Sequence, residues 1–125
     1  MADMCRVKTT TIQDKTFKVA EIKEKYIRNV IDAAGQCDLI DKIVLFGSCT
    51  GNKCRNESDI DLAIFGSETE YRALRSKKYD RFTTQIYTFD DSRQSYDLLY
   101  FVSGKQYRGL IMNTIEKGEL IYSRR

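Results

Sequence analysis

The segment that decides the fold runs from Ile43 to Leu62 and reads IVLFGSCTGNKCRNESDIDL. Its first four residues, Ile43–Phe46, form a short apolar run with β-branched members, which is typical of a buried strand that ends at Gly47. The following residues, 48–58, are polar and contain a glycine, so they predict a loop with room for one helical turn. Apolar residues return at 60–65 and predict a second strand, so the segment indicates two strands joined by a polar loop.

Two aspartates, Asp59 and Asp61, flank the start of the second strand. Side chains two positions apart on a strand point to the same face, with about 6.5–7 Å between their bases. We therefore expect both carboxylates on one face, with the core-facing residues Ile60, Leu62 and Ile64 on the other. Adjacent carboxylates repel each other unless a cation lies between them, so the pair is a candidate metal-binding group. The alternative is that Asp59 belongs to the loop and caps it, with only Asp61 near the sheet.

The turn after the first strand, Gly47–Ser48, has residues that suit a phosphate site. A glycine at the end of a strand lets a ligand approach the backbone, and a serine that starts the next turn offers its amide and hydroxyl to a phosphate. An ordinary strand-to-loop turn can have the same two residues, so the aspartates that follow give this pattern its weight.

The composition limits the chemistry that the chain can perform. The 125 residues suit one domain, and 21 Lys and Arg against 18 Asp and Glu give a net charge of +3. This mild surplus does not predict direct binding to nucleic acid, although it would tolerate a polyanionic ligand. The chain has no histidine, which excludes a Ser-His-Asp triad, a Cys-His pair, a His-ligated zinc and an imidazole base. Catalysis would have to use carboxylates, metal ions, lysine, tyrosine or cysteine.

Periodic apolar residues and capping signals predict the remaining elements. Three helices are predicted: 17–34, a segment from the Ser67–Glu70 capping box through Ile86 with or without a break near 77–78, and one from the Ser103–Gln106 capping box to Gly118. In the last helix the residues expected to face inward are Tyr107, Leu110, Ile111 and Ile115. Two further strands are predicted at Tyr96–Val102 and Leu120–Tyr122. This order of elements predicts an α/β (α+β) domain with a small mixed β-sheet packed with helices.

The four cysteines, Cys5, Cys37, Cys49 and Cys54, include no CxxC pair, which argues against a zinc ribbon or a thioredoxin-like site. Cys49 and Cys54 could pair, but free thiols in a reducing compartment are the favoured interpretation. Residues 1–6 lack an apolar segment, and nowhere do about 18 apolar residues run together, so neither a secretory signal nor a membrane span is predicted. We therefore expect a cytoplasmic protein.

The pattern GSx10DxD between two apolar strands resembles the nucleotidyltransferase signature of the DNA polymerase beta superfamily. The match is close at Leu45–Ser48 and at Ser58–Leu62. In particular the chain is similar to the minimal nucleotidyltransferases, small proteins often encoded beside HEPN-domain toxins. The similarity covers about residues 17–123 and implies a polymerase beta-like nucleotidyltransferase fold, in a single domain spanning residues 1–125.

The family places a third metal-binding carboxylate on the following strand, where this chain has Asp97. Asp90 and Asp91 are nearby alternatives, but they precede the apolar run and indicate a solvated turn. The resemblance thus implies that Asp59, Asp61 and Asp97 are the catalytic and metal-binding residues. Three carboxylates can hold two Mg²⁺ ions, which are hard cations that prefer oxygen ligands.

The turn that starts at Gly47–Ser48 departs from the family pattern in two respects. Many relatives read GSRARG, whereas this chain reads GSCTGN, so that Cys49 replaces an arginine and the second glycine arrives one position early. We therefore expect fewer phosphate contacts from the turn. Lys53 and Arg55 could compensate, although a charged loop residue is more often only solvated. The expected nucleotide-binding residues are Gly47, Ser48, Lys53 and Arg55.

The resemblance implies a Mg²⁺-dependent transfer of a nucleoside monophosphate, namely AMP from ATP, to a hydroxyl group. Larger relatives carry a further domain for the acceptor, so the acceptor site here would come from another chain or from a second copy. The implied acceptor is a tyrosine of a cognate HEPN toxin, which an antitoxin of this kind silences by adenylylation.

Two other functions remain as alternatives. The chain could be a non-catalytic antitoxin that neutralises its partner by forming a complex, which Cys49 favours and the three carboxylates oppose. It could also be an aminoglycoside-type nucleotidyltransferase that acts as a homodimer. The aromatic segment Tyr71–Tyr87 could dock a partner, although an aromatic stripe at helical spacing is more often core.

Overall fold

The computed structural model describes residues 5–124. Residues 1–4 and residue 125 lie outside the described residues. The prediction that residues 1–6 contain no secretory signal therefore falls mostly outside the described part of the chain. The strands are β1 (Val7–Ile12), β2 (Lys15–Ala20), β3 (Ile40–Phe46), β4 (Ile60–Gly66), β5 (Tyr96–Val102) and β6 (Glu119–Ser123). The α-helices are α1 (Glu24–Gly35), α2 (Glu70–Leu74), α3 (Lys77–Ser92) and α4 (Leu110–Glu116). Short 3-10 turns span Glu21–Lys23 and Gly47–Thr50.

The central sheet has four strands in the order β5-β4-β3-β6. Strand β3 is antiparallel to both β4 and β6, whereas β4 and β5 are parallel, so the sheet is mixed. Strands β1 and β2 form a separate antiparallel hairpin. This confirms the predicted mixed α/β architecture and all four strands that the sequence places in the sheet. No helix within residues 5–124 is long and apolar enough to cross a membrane.

Alternation along the strands divides the sheet into two apolar faces. On β4, Ile60, Leu62 and Ile64 join the main core with helices α1 and α3, whereas Ala63 and Phe65 belong to a smaller cluster beneath α4. Strand β5 follows the same pattern, because Leu98 packs on the main core and Leu99 on the smaller cluster. Odd-numbered positions on both strands therefore lie on the α4 side of the sheet.

The prediction of a helix that starts at Phe17 is wrong, because residues 17–20 belong to strand β2. Phe17 and Val19 are buried while Lys18 between them is exposed, which is the alternation of a strand. The preceding strand is rich in β-branched threonines, and Gln13 forms the hairpin turn with a positive φ of 58°. Helix α1 begins only at Glu24.

Both predicted capping boxes are also wrong. Helix α2 is capped by Thr69, whose hydroxyl accepts the N–H of Arg72 at 3.3 Å, and not by Ser67. A second helix then starts after Ser76, which confirms the break expected near 77–78. Within the aromatic segment Tyr71–Tyr87, Phe82 and Ile86 are core, as favoured by the sequence, whereas Tyr71 and Tyr87 are exposed.

Residues 103–109 form a turn and an irregular segment instead of the predicted first turn of a helix. The hydroxyl of Ser103 donates to Oδ2 of Asp41 at 2.6 Å, so it does not cap a helix. Because α4 starts at Leu110, Leu110 and Ile111 point into solvent, with 85% and 48% exposure, although both were expected inward. The buried residues of α4 are Met112 and Ile115.

Candidate active site

Three aspartates meet at one end of the β4–β5 pair. Asp61 is the register partner of Asp97, on adjacent parallel strands that lie about 4.8 Å apart. Asp59 lies in the coil directly before β4. The expectation that it belongs to the strand is therefore wrong, and the alternative, that it lies in the loop, is confirmed. Burial, then the charge of Asp97, then that of Asp59 raise the pKa of the Asp61 carboxyl. The carboxylates of Asp97 and Asp59 are thus both within electrostatic reach of Asp61.

The turn that follows β3 lies directly against this group. Phe46, the last residue of β3, pairs with Asp61, so Gly47 leaves the sheet beside that carboxylate. A β-carbon on Gly47 would overlap Oδ2 of Asp61 and lie 3.3 Å from its Cγ. Gly47 also has a φ of +80°, which side chains with a β-carbon rarely adopt. Both the backbone conformation and the lack of space therefore require glycine here.

The 3-10 turn Gly47–Thr50 has an internal scaffold that leaves Ser48 exposed. The Thr50 hydroxyl donates to the carbonyl of Gly47 at 2.8 Å, and the N–H of Gly51 donates to the carbonyl of Ser48 at 3.1 Å. These bonds fix the turn without using a ligand. Gly47 and Ser48 are both at the surface, next to the carboxylates, as a phosphate site would require.

The two basic residues expected to assist, Lys53 and Arg55, lie in the exposed part of the loop. The loop is anchored at Ser58, whose hydroxyl accepts the N–H of Arg55 at 2.9 Å while its own N–H donates to the Arg55 carbonyl at 3.0 Å. Among residues 5–124, neither basic side chain forms an ion pair, either with the three aspartates or with any other acid. Their charges are therefore available to a ligand but are not brought into contact with the carboxylates.

The alternative aspartates have other roles. Oδ2 of Asp90 accepts the hydroxyl of Tyr26 at 2.5 Å and pairs with Lys25 at 3.2 Å. These contacts lower the pKa of Asp90, the hydrogen bond from Tyr26 most strongly. Asp90 is thus a partly buried structural anchor and not part of a solvated turn, whereas Asp91 is exposed as expected.

Sequence reasoning missed a buried lysine behind the site. Lys23 is 1% exposed, and its ammonium donates to the carbonyls of Asn56 and Ser58, both at 2.9 Å, and to Oε1 of Gln94 at 2.5 Å. No acidic side chain among the described residues forms an ion pair with it. The signal that could have found it is its place on the apolar face of the predicted helix, where a charged residue needs buried partners.

Gln94 connects this lysine to the segments that precede strands β4 and β5. It is 5% exposed, and its Nε2 donates to the carbonyls of Ser58 at 2.9 Å and Ser95 at 2.7 Å. The same Ser95 carbonyl accepts the N–H of Ile60 at 3.0 Å. Lys23 and Gln94 therefore fix the segments that come directly before Asp59 and before strand β5.

The carboxylates of Asp59, Asp61 and Asp97 are the candidate ligands for a metal ion. No group of three or more Cys, Asp or Glu side chains in residues 5–124 has the arrangement of a preformed metal site. The chemistry of Asp59, Asp61 and Asp97 nevertheless fits a hard divalent cation, since all three carry carboxylate oxygens, and burial together with the charges of Asp97 and Asp59 raises the pKa of Asp61. The residues present suit Mg²⁺ better than a soft metal.

An open cavity of about 590 Å³ lies on the same face of the sheet, between β3 and α4. Its apolar wall includes Val44, Phe65 and Met112, and its charged rim includes Lys42 and Lys105. The three aspartates do not line it. The cavity therefore adjoins the candidate site along the sheet without containing it.

Comparison with known proteins identifies one family. The family described as Polymerase beta, Nucleotidyltransferase matches residues 28–125, which is more than three quarters of the chain. The matched region contains the turn at Gly47–Ser48 and all three aspartates, whereas the β1–β2 hairpin and Lys23 lie before it. No curated protein matches the chain significantly.

Proposed function

Because the chain belongs to the polymerase beta nucleotidyltransferase family, we propose that it transfers a nucleoside monophosphate, AMP from ATP, to a hydroxyl group in a Mg²⁺-dependent reaction. The observation that carries the proposal is the register pairing of Asp61 with Asp97, beside a glycine turn that contacts Asp61. A nucleotidyltransferase needs carboxylates and a phosphate-binding turn at one place, and both are within reach here.

Asp59, Asp61 and Asp97 would hold the two magnesium ions. When bound, the ions supply positive charge that offsets the charge of the phosphates and lowers the pKa of the acceptor hydroxyl. In their absence Asp61 faces the charges of Asp97 and Asp59, which add to the effect of burial in raising its pKa. Asp59 and Asp97 are exposed, so the ligands of the site are open to solvent on the side where a nucleotide would enter.

The Gly47–Ser48 turn would bind the phosphates that leave. Gly47 has no side chain to block the approach of a phosphate, and Ser48 offers an amide and an exposed hydroxyl. Lys53 and Arg55 are unpaired among the described side chains, and we assign them a supporting role toward the triphosphate.

Asp97 is our choice for the base that accepts the proton of the acceptor hydroxyl. It lies on β5, the edge strand of the sheet, and is exposed, so an acceptor can approach it from outside. The hydroxyl oxygen then forms a bond to the α-phosphorus while the bond from that phosphorus to the bridging oxygen breaks. Pyrophosphate leaves with the electron pair of the broken bond.

The acceptor that we propose is a tyrosine hydroxyl of a HEPN-domain toxin, in the cytoplasm. The proposal rests on the resemblance to the minimal nucleotidyltransferases, and the exposure of Asp97 on an edge strand supports an acceptor as large as a protein. In this role the chain would be an antitoxin. A homo-oligomer is compatible with the same chemistry.

The test is transfer of label from α-³²P ATP with Mg²⁺, in the presence of a candidate HEPN-domain partner. We expect label on a tyrosine of the partner, with loss of transfer on chelation of the metal and in Asp61→Asn. A tight complex without label would favour the non-catalytic antitoxin. Label on an aminoglycoside without any protein partner would instead favour the small-molecule enzyme.

A further inference from the structure

Two buried thiols are in contact behind the phosphate turn. The Sγ atoms of Cys49 and Cys54 are 3.2 Å apart, with exposures of 0% and 1%, and all four cysteines are free thiols. A disulfide has an S–S distance of about 2.05 Å, so the two sulfurs need to approach by about 1 Å to form one.

This pair is linked to both halves of the candidate site. Cys49 follows Ser48 in the phosphate turn, and its thiol donates to the carbonyl of Asp59 at 3.4 Å. Cys54 directly precedes Arg55, and its thiol donates to the carbonyl of Arg55 at 3.7 Å. A bond between the two sulfurs would pull on the turn and would remove the donor to Asp59, because the sulfur of a disulfide carries no hydrogen.

We propose that Cys49 and Cys54 form a reversible disulfide when the protein meets a peroxide, and that this disulfide weakens binding of the nucleotide at the adjacent turn. The first half concerns the two thiols alone. The second half rests on the proposed function. Nothing in the family match or in the assignment of site residues requires a thiol at either position.

The reaction balances with hydrogen peroxide as the oxidant. The sulfur of one cysteine attacks the peroxide, the O–O bond breaks, and a sulfenic acid and one water are formed. The sulfur of the second cysteine attacks the sulfenic sulfur, the S–O bond breaks, and a second water leaves. Two thiols have then lost two electrons and two protons, and the peroxide has gained them. A small-molecule dithiol reverses the change.

Both sulfurs are shielded from solvent, with exposures of 0% and 1%, so we expect their reaction with an oxidant to be slow. Cys5, which is partly exposed, borders the same loop, and its thiol donates to the carbonyl of Gly51 at 3.6 Å. Cys5 thus lies at the solvent side of the same loop.

The experiment treats the full chain with hydrogen peroxide and measures its intact mass, with peptide mapping after blocking of free thiols. We expect a loss of about 2 Da that a dithiol reverses, and a cross-linked peptide that joins residues 49 and 54. Cys54→Ser should abolish this loss. Cys37→Ser is the matched control, because Cys37 is equally buried but lies in the contact between α1 and β3, and it should retain the loss.

A second measurement follows the KM for MgATP in reduced and oxidised protein, where we expect the disulfide to raise KM about threefold or more. No mass loss, a bond to Cys5, or addition of oxygen without cross-linking would overturn the disulfide assignment. A disulfide that leaves KM unchanged would overturn its effect on the turn. If the disulfide forms but neither state transfers a nucleotide, the thiol pair stands and the proposed function fails.

Discussion

Gly47 lies against the carboxylate of Asp61 with no space for a side chain between them. A β-carbon at residue 47 would overlap Oδ2 of Asp61 and would also require a φ of +80°, which glycine adopts readily. The turn at Gly47 and the half-buried Asp61 carboxylate are therefore in direct contact.

Gly47→Ala should abolish nucleotide transfer, because the added methyl group displaces the Asp61 carboxylate. The strained φ should also destabilise the fold by about 1 kcal/mol. Gly104→Ala separates the two effects, since Gly104 has the same φ of +80° but has no atom within 4 Å of its β-carbon position. Denaturant unfolding should show a loss of stability in both variants, larger in Gly47→Ala because of the overlap with Asp61, and only Gly47→Ala should lose transfer. Equal transfer activity in Gly47→Ala and Gly104→Ala would show that the contact between Gly47 and Asp61 is not needed for transfer.

Asp61→Asn should make the protein more stable and inactive. Burial and the charges of Asp97 and Asp59 raise the pKa of Asp61, so the folded state binds this proton more tightly than the unfolded state does. Above that pKa the ionised carboxylate of Asp61 lowers the free energy of unfolding. The neutral amide of Asn at this position removes that cost. At pH 7 we expect a higher Tm and a fall in transfer of about 100-fold or more, which corresponds to about 2.7 kcal/mol. Asp14→Asn, in the exposed hairpin, should change neither quantity; a lower Tm in Asp61→Asn would contradict the repulsion.

Lys23→Met should lower both the stability of the fold and the rate of nucleotide transfer. The variant leaves three acceptors, of which Gln94 is buried, without the ammonium that binds them, and we expect a loss of about 2–4 kcal/mol in unfolding free energy. Transfer should also fall when it is measured at a temperature at which circular dichroism shows the variant folded, because the segments before Asp59 and β5 lose their common anchor. Lys25→Met is the control, since Lys25 is exposed and its single ion pair contributes little. Full activity in folded Lys23→Met would limit the lysine to a structural role.

Glu24 should make the fold sensitive to acid. Hydrogen bonds from Lys8 and Thr10 lower the pKa of Glu24, and the carboxylate joins β1 to α1. A lowered carboxyl pKa contributes stability that is present above the unfolded-state pKa and is lost as the pH falls through the folded-state pKa. The unfolding free energy should therefore decrease between about pH 5 and pH 3, and Glu24→Gln should flatten this part of the profile. An unchanged slope in the variant would show that other groups are responsible.

The sequence is most informative where local pattern and tertiary environment agree. Strands β3, β4 and β5 are short apolar runs bounded by polar or glycine residues, and their positions could be predicted to within a few residues. The places of the three aspartates could be predicted from the same apolar runs. Asp61 and Asp97 lie at the start of a strand, and Asp59 lies directly before one. Their convergence depends on the parallel pairing of β4 with β5, which no local pattern specifies.

The errors arise where tertiary contacts override a local signal. Phe17 and Val19 fit a helix and a strand equally well, and the hairpin with β1 decides between them. Ser103 has the residue type of a helix cap but donates to Asp41, a contact made possible only by the folded sheet. Lys23 is the clearest case, since its three acceptors come from segments far along the chain.

The central claim is that Asp59, Asp61, Asp97 and the Gly47–Ser48 turn form one site for a metal-bound nucleotide. The most direct measurement is a crystal structure of the protein with Mg²⁺ and a non-hydrolysable ATP analogue. We predict that the carboxylates bind magnesium at about 2.0–2.1 Å and that phosphate oxygens contact the turn. Binding of the analogue in the cavity between β3 and α4, with the three carboxylates free of metal, would contradict the claim.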